Sequence, residues 1–199
     1  MPEMNPVARL FVNTFTIRVN RRRYRWLAAH LRWPSTATCL EIGCGNGDLA
    51  ARIVEGMVPS RYVATDLDPR QVEAARKHLA RRYPGGLPAS LEVREADMLQ
   101  LPFTDSSFDA VLAYTVLHHA SPTHRDFTKV PTALAEVDRV LRPRGSAVYE
   151  EFLHKESIRN WFQERGYALV AATGHWNRET VILAKPDRSV GSGTTKSPG

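Results

Sequence analysis

The sequence has 199 residues, enough for one domain with a sizeable core but few for two. Its hydrophobic fraction of 43% is that of a globular protein, and no apolar run approaches the length of a membrane span. The net charge of +6 falls entirely within residues 1–35, which hold seven arginines and one glutamate. Because the remaining residues are electrically balanced, the composition argues against a nucleic-acid groove running over the whole protein.

The N-terminal segment is predicted to form helix in two pieces within residues 5–33. Apolar residues recur at helical spacing over residues 7–11 and again over residues 24–31, and Pro34 ends the pattern. We expect residues 1–34 to form a basic helical lid.

The only two cysteines, Cys39 and Cys44, lie on the next predicted strand and on the loop after it. This placement is poor for a disulfide, and two cysteines are too few for a structural zinc site. The N-terminus also lacks the continuous apolar core of a secretory signal. We therefore expect reduced thiols and a cytoplasmic protein.

Beyond Pro34, short apolar strands alternate with helices. The predicted strands cover residues 38–42, 61–66, 90–96, 108–114 and 146–152. The predicted helices cover residues 47–56, 69–83, 132–141 and 154–166. Strands separated in this way indicate a parallel sheet with right-handed crossovers.

Two further strands are predicted at residues 167–174 and 178–185. The three residues between them are too few for a crossover, so the strands must pair as an antiparallel hairpin. The predicted fold is therefore α/β: a Rossmann-like three-layer sandwich with a mostly parallel seven-stranded sheet, an antiparallel C-terminal hairpin strand and an N-terminal helical lid. We expect a single domain over residues 1–186 and a disordered Gly/Ser/Pro-rich tail over residues 187–199.

The stretch CLEIGCGNGDLA places Gly43, Gly45 and Gly47 directly after the first predicted strand. Such a turn lies at the carboxyl edge of a parallel sheet, where open α/β folds bind ligands. The spacing departs from the G-x-G-x-x-G/A of nicotinamide dehydrogenases, because the sixth position is Asp48. Glu41, two residues before the first glycine, would repel a pyrophosphate and suits a cationic ligand.

These residues and several later motifs resemble the class I S-adenosylmethionine-dependent methyltransferases, especially the small-molecule branch that includes ubiquinone and menaquinone enzymes. The resemblance covers about residues 35–185 and continues, in the family's order, through VATDLDP, EADMLQLPF, LPFTDSSFD, FDAVLAYTVLHHA and RVLRPRGSAVYEEF. Arg144 stands where the family usually has the first glycine of a turn.

The resemblance implies S-adenosyl-L-methionine as the cofactor. Asp66 would accept hydrogen bonds from both ribose hydroxyls, and Leu67 would pack against the adenine. Asp97 would bond the adenine amino group, and the backbone of Met98 would face the ring. The implied cofactor-binding residues are Glu41, Gly43, Cys44, Gly45, Gly47, Asp66, Leu67, Asp97, Met98 and Tyr114.

The implied reaction is an in-line displacement, in which the protein aligns donor and acceptor and excludes water. A general base is required only for a hydroxyl, a protonated amine or an acidic carbon. His119 is favoured over His118 as that base, although the pair can also shape the pocket without proton chemistry. A metal site that adds His124 is disfavoured, because adjacent histidines are expected to point apart. The candidate bases near the carboxyl edge are His118, His119, Tyr114, Glu150 and Glu151.

The expected methyl acceptor is a small molecule. The chain lacks the Asn-Pro-Pro-Tyr and Pro-Cys patterns of nucleic-acid methylating enzymes, so a nucleic-acid substrate is disfavoured. No substrate cap is inserted after the fifth strand, so a lid must come from residues 5–33. That basic segment has three open uses: covering the cofactor, contacting an anionic membrane surface beside a lipid or quinone acceptor, or steering an anionic substrate. A non-catalytic cofactor-binding protein is the alternative of another class.

Overall fold

The computed structural model describes residues 6–121, 123, 125–175 and 177–187. The helices are α1 (Pro6–His30), α2 (Asp48–Met57), α3 (Pro69–Arg82), α4 (Val130–Val140) and α5 (Lys155–Gln163), with a short 3-10 helix at Leu117–Ala120. The strands are β1 (Thr38–Ile42), β2 (Arg61–Asp66), β3 (Leu91–Glu95), β4 (Phe108–Tyr114), β5 (Leu141–Glu151), β6 (Ala168–His175) and β7 (Arg178–Ala184).

The seven strands form one sheet in the order β3-β2-β1-β4-β5-β7-β6. The first five strands are parallel to one another, and β7 runs antiparallel to both β5 and β6. The predicted mostly parallel sheet and its C-terminal hairpin are therefore confirmed. Because strand order reverses between β1 and β4, the carboxyl ends of these two strands flank a crevice suited to a ligand.

The sheet is covered on both faces because successive strand residues point to opposite sides. One buried cluster joins sheet residues such as Cys39 and Tyr62 to α1, α2 and α3. The other joins sheet residues such as Leu40 and Val63 to α4 and α5. This alternation produces the predicted three-layer arrangement.

Helix α1 is continuous, so the prediction of two helical pieces is wrong. Residues 7–30 contain no glycine or proline to break the helix, and arginine is a good helix former. Leu27 is fully buried against the core, and the Tyr24 side chain lies against Gly56 of α2. The C-terminal half of α1 is thus packed on the domain.

Strand β5 begins five residues earlier than predicted, directly after α4. Its pairing with β4 jumps from Phe108–Leu141 to Ala110–Ser146, so the intervening residues bulge out. Arg144 in this bulge has a φ of +63°, a conformation that glycine adopts at less cost. This finding gives a physical reason for the glycine that the family usually has there.

The other boundaries lie within three residues of the predicted ones, and the largest shifts are the ends of α1 at His30 and of α5 at Gln163. Residues 188–199 of the predicted disordered tail lie outside the described residues. Asp187, at the start of that tail, accepts a hydrogen bond from Arg144 Nε at 2.8 Å.

Candidate functional site

A cleft of about 590 Å³ opens at the carboxyl ends of β1, β2 and β4, beneath α1. Nine of the predicted site residues line it: Glu41, Gly43, Cys44, Gly45, Asp66, Leu67, Met98, Tyr114 and His119. The other five candidates do not: Gly47, Asp97, His118, Glu150 and Glu151. The sequence motifs thus converge on one crevice, as the topology requires.

The glycine loop makes one wall of the cleft, and its glycines differ in what surrounds them. Gly43 has a φ of +70°, and a Cβ added there would clash with the side chain of Val116, whose own Cβ would be 2.8 Å away. Gly45 also has a positive φ, but an added Cβ would meet no atom within 4 Å. Gly43 therefore permits close packing inside the protein, whereas Gly45 presents bare backbone to the open cleft.

Asp66 ties this loop to the end of β2. Its Oδ2 accepts a hydrogen bond from the Gly45 N–H at 3.0 Å, and its Oδ1 accepts one from the Asp68 N–H at 3.1 Å. The Cys44 N–H also donates to the Thr65 carbonyl at 2.8 Å. The carboxylate is thus oriented at the cleft wall with lone pairs left for a ligand.

Glu41 is buried at the base of the cleft and accepts a hydrogen bond from the Tyr62 hydroxyl at 2.9 Å. Burial raises the pKa of Glu41 to about 7, although the Tyr62 hydrogen bond and the charge of Arg23 oppose the rise. Glu41 therefore changes charge near neutral pH, and only its ionised form attracts a cation.

Two further predicted residues lie beside Glu41. Burial raises the pKa of the Cys44 thiol, so Cys44 is a neutral wall residue and a poor nucleophile. Burial likewise raises the pKa of Tyr114, whose hydroxyl has no hydrogen-bond partner among the described residues. A buried hydroxyl of this kind is available to a ligand.

Gly47 and Asp97 have local structural partners instead. Gly47 precedes α2 as its N-cap, and an added Cβ would lie 3.2 Å from the Leu79 side chain of α3. Asp97 accepts a hydrogen bond from the Leu99 N–H at 2.8 Å, which closes a turn, while its neighbour Met98 lines the cleft.

The 3-10 helix after β4 separates the two histidines. His118 is buried, and its Nδ1 lies 2.8 Å from Oε2 of Glu151. Glu151 is also fully buried, and its Oε1 accepts a hydrogen bond from the Leu117 N–H at 2.8 Å. His119 is exposed at the cleft, and its ring centroid is 4.1 Å from that of His118. The expectation that these rings point apart is therefore wrong.

Glu150 is engaged by cations rather than open to a substrate. Arg23 of α1 donates to its Oε1 from Nη2 at 2.5 Å and from Nε at 3.2 Å, while Thr180 donates to Oε2 at 3.1 Å. Burial raises the pKa of Glu150, but Arg23, Thr180 and Arg178 more than offset this, so its pKa lies below the ordinary value. Such a carboxylate is a weak base.

Arg23 was missed among the candidate residues, although it lines the cleft with Asn20 and Val19. The sequence does carry a signal, since Arg23, Leu27 and Leu31 are spaced four apart on the face that packs against the core. Arg23 thereby anchors α1 across the cleft.

Thr115, which also lines the cleft, was missed as well. It is β-branched yet has a φ of +54°, a rare conformation of the kind found at functional sites. Its Oγ1 accepts a hydrogen bond from Arg23 Nη2 at 3.1 Å, so the same arginine holds this strained loop.

In the part of the chain that the structure describes, no three His, Cys, Asp or Glu side chains come together as ligands for a metal ion; His124 of the disfavoured triad lies outside these residues. Within the same ranges no helix combines the length and apolarity needed to cross a membrane.

Comparison with known proteins places these features in a family. A family described as "Methyltransferase domain" matches residues 40–149. A Nostoc 2-phytyl-1,4-naphtoquinone methyltransferase is 30% identical over 170 residues, or 82% of this chain and 64% of the relative. A Mycobacterium tuberculosis phthiotriol/phenolphthiotriol dimycocerosates methyltransferase is 32% identical over 158 residues, or 79% of this chain and 52% of the relative. The chain thus spans between half and two thirds of the length of these relatives.

Solved structures agree on the fold. A methyltransferase from Aquifex aeolicus described as SAM-dependent has a TM-score of 0.64 at 14% identity, covering 80% of this chain and 87% of its own. The [4+2]-cyclase SpnF has a TM-score of 0.68 at 17% identity, covering 83% and 80%. With the family match, the glycine loop and the strand order, the chain belongs to the class I S-adenosylmethionine-dependent methyltransferases.

Proposed function

We propose that this protein transfers a methyl group from S-adenosyl-L-methionine to a small-molecule acceptor. The observation that carries the proposal is the hydrogen bond from the Gly45 N–H to the Asp66 carboxylate. It joins an open backbone loop and an oriented carboxylate at one cleft wall. The cyclase among the structural neighbours shares only the fold, and fold alone does not fix chemistry.

The residues present fit this cofactor. Gly45 leaves the loop surface open, Asp66 offers acceptors for ribose hydroxyls, and the ionised form of Glu41 complements positive charge. Leu67 is 55% exposed beside Asp66, as expected for a side chain that would be covered by a bound adenine. The unpartnered Tyr114 hydroxyl adds a hydrogen-bonding group at the inner end.

The cofactor would supply the methyl group, and its sulfur would keep the electron pair of the broken carbon–sulfur bond. The chain's part is to align the acceptor, exclude water and remove the acceptor's proton where it has one. Among the five candidate bases, His119 is the one that is both exposed and part of the cleft lining. It would accept the proton of a hydroxyl acceptor as the new bond forms.

His118 and Glu151 would position that base. Glu151 fixes the orientation of His118, and the His118 ring supports His119 at 4.1 Å. A buried carboxylate–histidine pair behind an exposed histidine restricts the directions in which the outer ring can turn.

Calorimetry with S-adenosylmethionine and S-adenosylhomocysteine, followed by a screen of thiols, phenols, quinols and amines, tests the proposal. We expect binding of both cofactor forms and turnover of at least one acceptor class. Binding without turnover across the screen would favour the non-catalytic alternative, and absence of binding would refute the cofactor assignment.

A second candidate function is methylation of a lipid or quinone at a membrane surface. Its supporting observation is that Arg18, Arg21, Arg22 and Arg25 are all exposed and, by helix geometry, lie within about 100° on one side of α1. Each arginine near an anionic bilayer contributes about 1 kcal/mol. The same helix lines the cleft through Arg23 on its opposite side, so a bound membrane would lie across α1 from the cleft.

Co-sedimentation with anionic and neutral vesicles tests this candidate. We expect binding to anionic vesicles only, and loss of binding when these four arginines are changed to glutamine. The matched control changes four exposed basic residues elsewhere, Arg61, Arg70, Lys77 and Arg81. Equal loss in both variants, or no binding by the unmodified protein, would contradict a specific membrane face.

A further inference from the structure

The charged residues of the cleft are divided between its two ends. Asp66 and Asp68 follow β2, and Glu41 lies on the adjacent β1. Arg178 at the start of β7 lines the opposite end, and Arg23 of α1 lies between the two ends, with its guanidinium carbon 5.0 Å from the ring centroid of Tyr114 of β4. Because β2 and β7 are four strand spacings apart, these ends are separated by about 19 Å.

The two arginines differ in how fully their charge is compensated. Arg23 donates twice to Glu150, and each side chain of this pair is 11% exposed. Arg178 reaches the same Glu150 oxygen at the longer distance of 3.4 Å, and its side chain is 38% exposed. One carboxylate therefore faces two guanidinium groups, so this contact neutralises Arg178 only in part.

Contacts at the cleft wall hold the Arg178 guanidinium but use only part of its hydrogen-bonding capacity. Its guanidinium carbon lies 5.7 Å from the ring centroid of Phe152, which supports one side of the group. Arginine has five N–H donors in a planar fork that matches a carboxylate, and Glu150 takes one of them. Among the described residues no other hydrogen-bond partner takes its remaining donors, which are available to an oxyanion that enters beside His119.

We propose that Arg178 forms an oxyanion subsite that selects methyl acceptors carrying a carboxylate. This inference rests on the proposed function, because it assigns the β7 end of the cleft to the acceptor. The acidic β2 end suits a cationic donor with ribose hydroxyls, and the basic β7 end suits an anionic acceptor. The carboxylates would attract the donor and the guanidinium would attract the acceptor, so the two substrates would enter from opposite sides. Arg178 would thus be a specificity-determining residue.

The test uses protein saturated with S-adenosylhomocysteine and two probes of nearly equal shape, 2-naphthoate and its neutral amide, 2-naphthamide. Calorimetry should show the carboxylate binding about fivefold or more tightly than the amide, the size expected of a partly exposed charge-assisted contact. Arg178→Gln should abolish this preference, and Arg178→Lys should retain part of it. Arg61→Gln, which removes the same charge at an exposed position outside the cleft, should leave it unchanged.

The outcomes separate this inference from the proposed function. Failure of S-adenosylhomocysteine to bind the unmodified protein would remove the proposed function itself. Normal S-adenosylhomocysteine binding with equal affinity for both probes would overturn the subsite alone. If Arg178→Gln weakens S-adenosylhomocysteine binding tenfold or more while the preference for the carboxylate persists, Arg178 serves the donor's own carboxylate and the inference is also wrong.

Discussion

At the β2 end of the cleft, the wall is made by residues close together in the chain: Gly45 and Asp66 are 21 positions apart and hydrogen-bonded directly. At the β7 end, Arg23 and Glu150 are 127 positions apart, and Arg178 comes from a third element. The β2 end, which we propose holds the methyl donor and call the donor end, therefore depends on one loop and two adjacent strands. The β7 end, which we propose holds the acceptor and call the acceptor end, depends on how α1 and the C-terminal hairpin pack against the sheet, so the two ends should respond differently to substitution.

The largest expected effect separates two glycines at the donor end. Gly43→Ala should lower the free energy of unfolding by about 2–5 kcal/mol, because it combines a strained φ with a clash against Val116. Gly45→Ala should cost only about 1–2 kcal/mol, since an added Cβ meets no protein atom, and should instead weaken cofactor binding. Denaturant unfolding and calorimetry measure the two effects. Equal destabilisation by both variants would contradict this division.

The next effect belongs to the acceptor end. His119→Ala should lower kcat for a hydroxyl acceptor by about 100-fold, because a general base is lost. Glu151→Gln should lower kcat less and shift the pH profile, since it acts through His118. His30→Ala, at an exposed histidine outside the cleft, is the control. An unchanged kcat in His119→Ala would show that the acceptor needs no base.

A third effect concerns Glu41 and pH. As the pH rises from 6 to 8, Glu41 ionises, so affinity for S-adenosylmethionine should rise by up to about tenfold. Glu41→Gln should remove this dependence, while Glu73→Gln, on the exposed side of α3, should keep it. Calorimetry at several pH values measures it.

The contribution of Glu41 to the free energy of unfolding changes with pH in the opposite direction to its contribution to cofactor affinity. The folded-state pKa of about 7 lies above the ordinary value of 4.5, so the folded protein retains a proton that the unfolded chain releases. This contribution is complete below pH 4.5 and is lost as the pH rises through about 7. A cofactor affinity that falls between pH 6 and 8 would contradict the role given to Glu41.

The smallest effect uses two buried tyrosines whose hydroxyls lack partners among the described residues, Tyr114 and Tyr149. Changing either to phenylalanine should raise the free energy of unfolding by about 1 kcal/mol, because an unsatisfied hydroxyl is removed. Only Tyr114→Phe should also weaken cofactor binding, since Tyr149 lies outside the cleft. Thermal unfolding and calorimetry on both variants test this. Unchanged cofactor affinity in Tyr114→Phe would mean that its hydroxyl is not used.

The number and direction of the strands and most of the donor end could be predicted from sequence, because strand–helix alternation and the Gly43–Asp66 spacing are local patterns. The acceptor end could not be predicted fully. Which arginine of the run at residues 21–25 faces inward depends on α1 being one continuous helix. Which histidine faces the cleft depends on a 3-10 turn. Arg178 reaches the cleft only because β7 pairs with β5.

The most direct test of the donor end is a calorimetric titration of the protein and its Asp66→Asn variant with S-adenosylhomocysteine. The asparagine keeps one oxygen for the Gly45 N–H but removes the charge and one acceptor. We predict one-to-one binding by the unmodified protein and a loss of about 1–3 kcal/mol in the variant, with no loss in Glu73→Gln. No binding by the unmodified protein, or equal affinity in Asp66→Asn, would contradict the central claim that this loop and carboxylate hold the methyl donor.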